Sequence, residues 1–199
     1  MSAPTRIKFA VAEPFPDGVW YTEVSRFARL AHKNLGRVEH LAAEVTAQCP
    51  KPHNIPVSDA GPELKALVEE RDAASDVTVL FAAMAVEAFL NFYGSVRVGE
   101  AEYQNHFERH GLVPKLQYLL LLCDSWSVAK GDPLVKALQL LAEVRNELVH
   151  PKAWKDLPGN KSKHIKPMPG TAQKAVKAMT SFFEEFKLLV PESRHFMPL

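Results

Sequence analysis

The chain has 199 residues, of which 47% are apolar and 24% are charged, and its formal net charge at pH 7 is +1. This balance indicates a globular protein with a sizeable core and excludes a chain that binds nucleic acid over its whole surface, so any such binding must come from a local patch. The longest apolar stretch, residues 77–92, is interrupted by Thr78, Glu87 and Asn91, which favours a buried helix over a membrane span.

Residues 1–20 are expected to form an N-terminal arm that precedes one domain, residues 21–199. The arm holds three prolines and an apolar run of only four residues, Phe9 to Ala12, which is too short for a secretory signal. The two cysteines, Cys49 and Cys123, lie far apart in the sequence and have no CxxC partner. These features predict reduced thiols and a cytoplasmic protein that does not contact a membrane.

Two long helices are predicted next. The first spans residues 21–48, with Thr22 as its N-cap and apolar residues at three- and four-residue steps. Its predicted buried face consists of Val24, Phe27, Ala28, Ala31, Leu35, Val38, Leu41, Ala42 and Val45. The second helix spans residues 63–93 and is expected to end at Gly94. Because its second half is apolar almost all round, we expect it at the centre of a bundle.

A short helix near residues 100–109 is broken by Gly111, and a leucine-rich segment then begins at Pro114. The next helix begins at Pro133, with Asp132 as its cap. Its predicted buried face consists of Leu134, Leu138, Leu141, Val144 (or Arg145) and Leu148.

Residues 151–170 contain four prolines and no apolar periodicity, which predicts a loop. The last helix spans residues 171–189. Its predicted buried residues, with the one that follows it, are Val176, Met179, Phe183, Phe186 and Val190. The sequence therefore predicts an all-α, single-domain bundle of five or six helices.

The helix that begins at Pro133 ends in a polar motif, which reads Arg145-Asn146-Glu147-Leu148-Val149-His150 and is followed by Pro151. Arginine and histidine together can supply acid–base chemistry and charge stabilisation on a phosphate ester without a metal. The order Arg-Asn, three residues, then His resembles the signature of the HEPN superfamily. Its members are small all-helical domains, and many of them are metal-independent ribonucleases.

The resemblance implies a metal-independent endoribonuclease that cleaves RNA by 2′-OH transesterification, in defence or stress, without a cofactor. His150 would transfer protons, and Arg145 would stabilise the charge that develops on the phosphoryl oxygens. Asn146 would orient His150 or hold a phosphate. The resemblance also implies a homodimer through the helix Leu134–His150, with a cleft built from both copies.

Ideal helix geometry places Asn146 and His150 on one face, but it places Arg145 about 140° away from His150. Two arrangements would bring Arg145 and His150 together. His150 precedes a proline, which disfavours helical backbone at that residue, so its ring can turn out of the helix. Alternatively, two copies of the helix meet across a two-fold axis and each site takes residues from both chains. The resemblance implies the second arrangement.

The segment after the motif is basic. Residues 151–177 contain seven lysines and one acid, which gives this segment a charge of +6. Such a segment can follow an RNA backbone, and an aromatic ring within it can stack on a base. The predicted RNA-binding residues are Lys152, Trp154, Lys155, Lys161 and Lys163. The alternatives are a loop that is simply solvated and a tryptophan that packs on the bundle.

Glu87 and Asn91 form a polar notch, one turn apart, in the most apolar helix. A buried carboxylate needs a partner, and Arg145 and Lys115 are the best candidates. The string Glu-Ala-Phe-Leu-Asn is also similar to what several HEPN families show on the helix that faces the motif, and Lys115 fits the same pattern. Glu87 then either positions Arg145 in the site or forms a structural ion pair that fixes the helix register.

The resemblance has one clear departure. HEPN toxins that a nucleotidyltransferase partner silences carry a tyrosine two residues after the histidine, where this chain has Lys152. That form of regulation is not expected, and the identity of any regulatory partner protein is left open. The alternative functions are a non-catalytic dimerisation or RNA-binding module and, with less support, a nucleotide sensor. No metal site is expected, although His106 and His110 are four residues apart.

Overall fold

Six α-helices make up the part of the chain that the computed structural model describes, which is residues 23–49, 59–149, 170–191, 193 and 197–198. The helices are α1 (Val24–Gln48), α2 (Pro62–Val98), α3 (Glu100–His106), α4 (Leu112–Asp124), α5 (Pro133–Val149) and α6 (Gly170–Leu189). Since no strand occurs within these residues, the predicted all-α bundle of five or six helices is confirmed. The N-terminal arm and the predicted loop after α5 lie outside the described residues.

Helix α2 lies at the centre, as predicted, and contacts each of the other five described helices. Phe89 is fully buried on α2, and its ring packs edge-on against three phenylalanine rings of α6, with the nearest centroid, that of Phe186, 4.9 Å away. Burial of one such ring is worth about 1.5–3 kcal/mol. This aromatic cluster fixes α6 against the middle of α2.

By length and composition, α2 is also the one helix in the described ranges that is apolar enough to cross a membrane. The core helix of a soluble protein meets the same criteria, and 56% of the apolar window of α2 is buried inside the bundle.

The predicted apolar faces of α1, α5 and α6 are confirmed. In α1, seven of the nine predicted residues are buried and the other two, Phe27 and Leu35, are partly buried. Helix α5 begins at Pro133 as predicted, and the Asp132 Oδ1 atom accepts a hydrogen bond of 2.9 Å from the Leu134 N–H. This cap satisfies one of the backbone donors that have no partner within the helix.

The predicted end of α2 at Gly94 is wrong, because the helix continues for four more residues to Val98. Gly94 is buried, and a Cβ atom there would overlap the Tyr103 ring of α3. The helix ends instead at Gly99, whose φ of 96° favours glycine. The glycine at position 94 therefore permits a close approach between two helices and does not terminate one.

Three other boundaries differ from the prediction. Helix α1 begins at Val24, so Glu23 precedes it, and the predicted cap Thr22 lies outside the described residues. Helix α3 ends at His106, before Arg109. Helix α4 begins at Leu112, two residues before Pro114. A proline is tolerated there because the N–H groups of the first turn need no partner within the helix.

A matched pair of glycine substitutions tests the close approach at Gly94. Gly94→Ala is expected to lower the free energy of unfolding by about 1–3 kcal/mol, because the Tyr103 ring must move. Gly36→Ala is expected to raise it by about 0.5–1 kcal/mol, because Gly36 is an exposed residue of α1 with no atom near its Cβ position. Urea unfolding measures both values. A stabilising Gly94→Ala substitution would contradict the close approach.

Candidate functional site

A cleft of about 460 Å³ lies where α2, α5 and the connection between α3 and α4 meet. A volume of this size is in the usual range for small-ligand sites. The cleft brings together three of the side chains that were predicted from the sequence, Glu87 of α2 and both Arg145 and Asn146 of α5. The full lining consists of Ala83, Glu87, Glu108, Arg109, His110, Gly111, Leu112, Ala142, Arg145 and Asn146.

Arg145 and Asn146 lie in the last turns of α5, on the polar side of that helix. Val144 faces the core, so the two residues that follow it reach the surface, and both are exposed. Neither side chain makes a hydrogen bond or an ion pair with any residue in the described ranges. The hydrogen-bonding groups of both side chains are therefore free to bind a ligand in the cleft.

Glu87 lines the same cleft, but the expected ion pair with Arg145 is not formed in the described part of the chain. The reason is that Glu87 is only partly buried, so water still solvates its carboxylate and a direct partner is not required. Its charge acts instead on Lys115, where it partly opposes the effect of burial. Of the two candidate partners of Glu87, Lys115 is the one that interacts with it electrostatically.

Lys115 and Asn91 form a buried polar cluster with Tyr103. The Lys115 side chain is fully buried, and its Nζ donates a hydrogen bond of 2.7 Å to Asn91 Oδ1. The Tyr103 hydroxyl donates a bond of 2.6 Å to the same oxygen. Burial lowers the pKa of Lys115, while the carboxylates of Glu87 and Glu108 raise it. Asn91 and Lys115 thus support the cleft from the interior and are not among the residues that line it.

The connection between α3 and α4 forms another wall of the cleft with Glu108, Arg109 and His110, which the sequence did not lead us to expect in the site. All three are exposed, and His110 offers an imidazole, a common acid–base group. The sequence gives one local indication that these residues belong to a site, which is a run of three ionisable residues directly before Gly111, between two helices. Their position next to Arg145 results from tertiary packing, which no local pattern contains.

The other predicted site residues lie outside the described residues. They are His150, Lys152, Trp154, Lys155, Lys161 and Lys163. Their roles stay predictions. Within the described ranges, no group of three or more His, Cys, Asp or Glu side chains comes together to hold a metal ion.

Comparison of the chain with protein-family models, with curated proteins and with solved structures gives no match.

A pair of substitutions tests whether the buried polar cluster, and not the cleft surface, contributes to the free energy of unfolding. Arg145→Ala is expected to change the free energy of unfolding by less than about 0.5 kcal/mol, because the side chain is exposed and has no partner in the described chain. Asn91→Ala is expected to cost about 2–3 kcal/mol, because it leaves a buried ammonium and a hydroxyl without their acceptor. Urea unfolding measures both.

A double variant provides the control. Addition of Lys115→Met to Asn91→Ala removes the buried charge, so it should restore part of the lost stability. A large cost for Arg145→Ala, similar to that of Asn91→Ala, would make Arg145 a structural residue and would contradict its assignment to the cleft.

Proposed function

We propose that the chain is a metal-independent endoribonuclease of the HEPN type. The observation that supports this proposal is the position of Arg145 and Asn146, which are exposed, without partners in the described chain, and side by side in a cleft. A guanidinium that is already paired would have to break that pair before it could bind a phosphate. Arg145 has no such pair to break in the described residues, so its planar set of donors is available to a phosphodiester.

The proposed reaction is transesterification within the RNA chain. The ribose 2′-oxygen attacks the adjacent phosphorus, the bond from phosphorus to the 5′-oxygen breaks, and a proton moves from the 2′-hydroxyl to the departing 5′-oxygen. The products are a 2′,3′-cyclic phosphate and a free 5′-hydroxyl. Arg145 stabilises the negative charge on the phosphoryl oxygens, and His150, which is bonded directly to the last residue of α5, transfers the proton.

Affinity for RNA would come largely from outside the cleft. The cleft lining contains two acidic residues, Glu87 and Glu108, and two arginines, Arg109 and Arg145, so their formal charges balance. A polyanion needs a net positive surface, and we propose that the lysines after α5 supply it. We also propose a cytoplasmic location and a regulatory partner of unknown identity.

A second function, a non-catalytic dimerisation or RNA-binding module, is favoured by an apolar stripe on α2. Val77, Leu80 and Met84 lie on one face of the helix, and each is between 36% and 40% exposed. Met84 is adjacent to Ala83, which lines the cleft. We propose that a second copy of the chain covers this stripe. This interface on α2 is an alternative to the one through the helix Leu134–His150 that the HEPN resemblance implies.

The nuclease proposal predicts cleavage of labelled single-stranded RNA by the full chain in EDTA, with a 2′,3′-cyclic phosphate end. Arg145→Ala and His150→Ala should each lower the rate by about 100-fold or more, because they remove charge stabilisation and proton transfer. Lys136→Ala is the matched control, since Lys136 is an exposed cation of α5 that does not line the cleft. Its rate should equal that of the wild type.

Two results would contradict the nuclease. One is undiminished cleavage by His150→Ala, which would show that His150 is not the acid–base residue. The other is the absence of RNA cleavage by the wild type. If the wild type also forms no dimer, the dimerisation module is contradicted as well, and an RNA-binding module is the function that remains.

The dimer is tested by sedimentation velocity. If a second copy covers the stripe, the wild type should sediment as a dimer and Leu80→Glu as a monomer, because a charge would be buried in the interface. Leu188→Glu is the control, since Leu188 is 78% exposed on α6 and is not part of the stripe. A wild type that is monomeric at micromolar concentrations, or a dimer that survives Leu80→Glu, would contradict an interface at this surface.

A further inference from the structure

We infer that Tyr118 and His110 form a subsite at the edge of the cleft that stacks on one unpaired base of single-stranded RNA. This inference rests on the proposed function for the nature of its ligand. It adds a specificity element that the motif on α5 does not contain. Tyr118 belongs to α4, and His110 belongs to the connection before it, which forms one wall of the cleft; the Tyr118 ring reaches the cleft edge through its contact with His110.

The aromatic rings of this wall form a continuous series from the core to the cleft. Tyr103 is buried and stacks on Phe107, with ring centroids 6.3 Å apart and an interplanar angle of 20°. The Phe107 ring contacts Tyr118 at 6.5 Å, and Tyr118 contacts His110 at 5.2 Å. His110 lines the cleft. The buried Phe107 ring therefore supports Tyr118, and Tyr118 in turn contacts His110, so a base would meet a surface that is already in place.

The exposure of Tyr118 is the second observation. Helix α4 buries Lys115, Leu116, Leu119 and Leu120, whereas Tyr118 remains 45% exposed. Its hydroxyl makes no hydrogen bond with any residue in the described ranges. The ring meets both Phe107 and His110, and its exposed part is open to a ligand. Because nearly half of this side chain lies outside the core, its exposed surface is available to contact a base.

The chemistry around these rings matches a nucleotide. An aromatic ring offers a π face to a base, and Arg109, directly before His110, offers a guanidinium to the neighbouring phosphate. Arg145 lines the same cleft and is available to the phosphate that reacts. In a duplex the faces of the bases are stacked on one another, so only an unpaired base can stack on Tyr118. The expected ligand is therefore single-stranded RNA.

Binding, measured apart from cleavage, tests the subsite. The probe is a short fluorescein-labelled single-stranded RNA, and its anisotropy is followed in EDTA with the full chain carrying His150→Ala. Tyr118→Ala should weaken binding by roughly 5- to 100-fold, which is the usual effect of loss of one stacked base. Tyr118→Phe keeps the ring and should bind within about twofold of the parent, since stacking needs no hydroxyl. Leu121→Ala is the matched control, an exposed apolar residue on the same helix.

A second probe separates stacking from charge. An oligonucleotide of the same length with abasic sites in place of bases should bind Tyr118→Ala and the parent equally. If Tyr118→Ala loses as much affinity for the abasic oligonucleotide as for the normal RNA, base stacking is overturned. Unchanged binding of the normal RNA by Tyr118→Ala would also overturn it. Absence of RNA binding by the parent would overturn it too. Tyr118→Leu, with thermal melting of every variant, separates loss of the ring from loss of the fold.

The outcomes also distinguish this subsite from the nuclease. If the wild type does not cleave RNA but binding depends on Tyr118, the subsite holds and the catalytic proposal fails. If the wild type cleaves RNA and neither binding nor cleavage depends on Tyr118, the nuclease holds and the subsite fails.

Discussion

The approach of the Tyr103 ring to the backbone of α2 at Gly94 determines where one wall of the cleft lies. Three residues at helical spacing along α2 perform different tasks at this contact. Glu87 reaches the cleft, Asn91 accepts hydrogen bonds from Lys115 and Tyr103, and Gly94 leaves room for the tyrosine ring. Because Phe107 stacks on Tyr103, the connection that carries His110 is held in place by the same contact. The geometry of the cleft thus depends on one face of α2.

The charged side chains in the interior of the bundle have hydrogen-bonding or ionic partners, whereas Arg145 in the cleft has none in the described chain. Arg97 is nearly buried and binds Asp124 at 2.8 Å, while the Tyr93 hydroxyl donates to the same carboxylate. Lys115 has Asn91 as its acceptor. Loss of one partner in such a pair leaves an uncompensated charge in the interior. Arg145 is exposed and has no partner in the described chain, so a ligand could bind its guanidinium without breaking an existing pair.

The sequence predicted much of the fold because its apolar periodicity is strong. The cap at Asp132 and the buried faces of α1, α5 and α6 follow from local rules, and all of them are confirmed. Gly94 was misassigned because glycine serves both helix ends and close approaches, and only the position of Tyr103 distinguishes the two. The motif pointed to Arg145 and Asn146 as site residues, but the sequence left open whether Val144 or Arg145 belongs to the buried face of α5, and the structure buries Val144 and exposes Arg145. The motif could not indicate His110, since residues on different elements meet only through packing.

The balance of charge in the cleft constrains how any RNA ligand is held. Because the cleft lining contains two carboxylates and two guanidinium groups, the cleft attracts a polyanion only weakly as a whole, even though individual groups in it can bind a phosphate. Strong long-range attraction would have to come from the lysines that follow α5 in the sequence. Affinity and chemistry would then reside in neighbouring but separate parts of the chain. On the proposed function, the lysines would attract RNA, the aromatic wall would select an unpaired base, and Arg145 would bind the phosphate next to it.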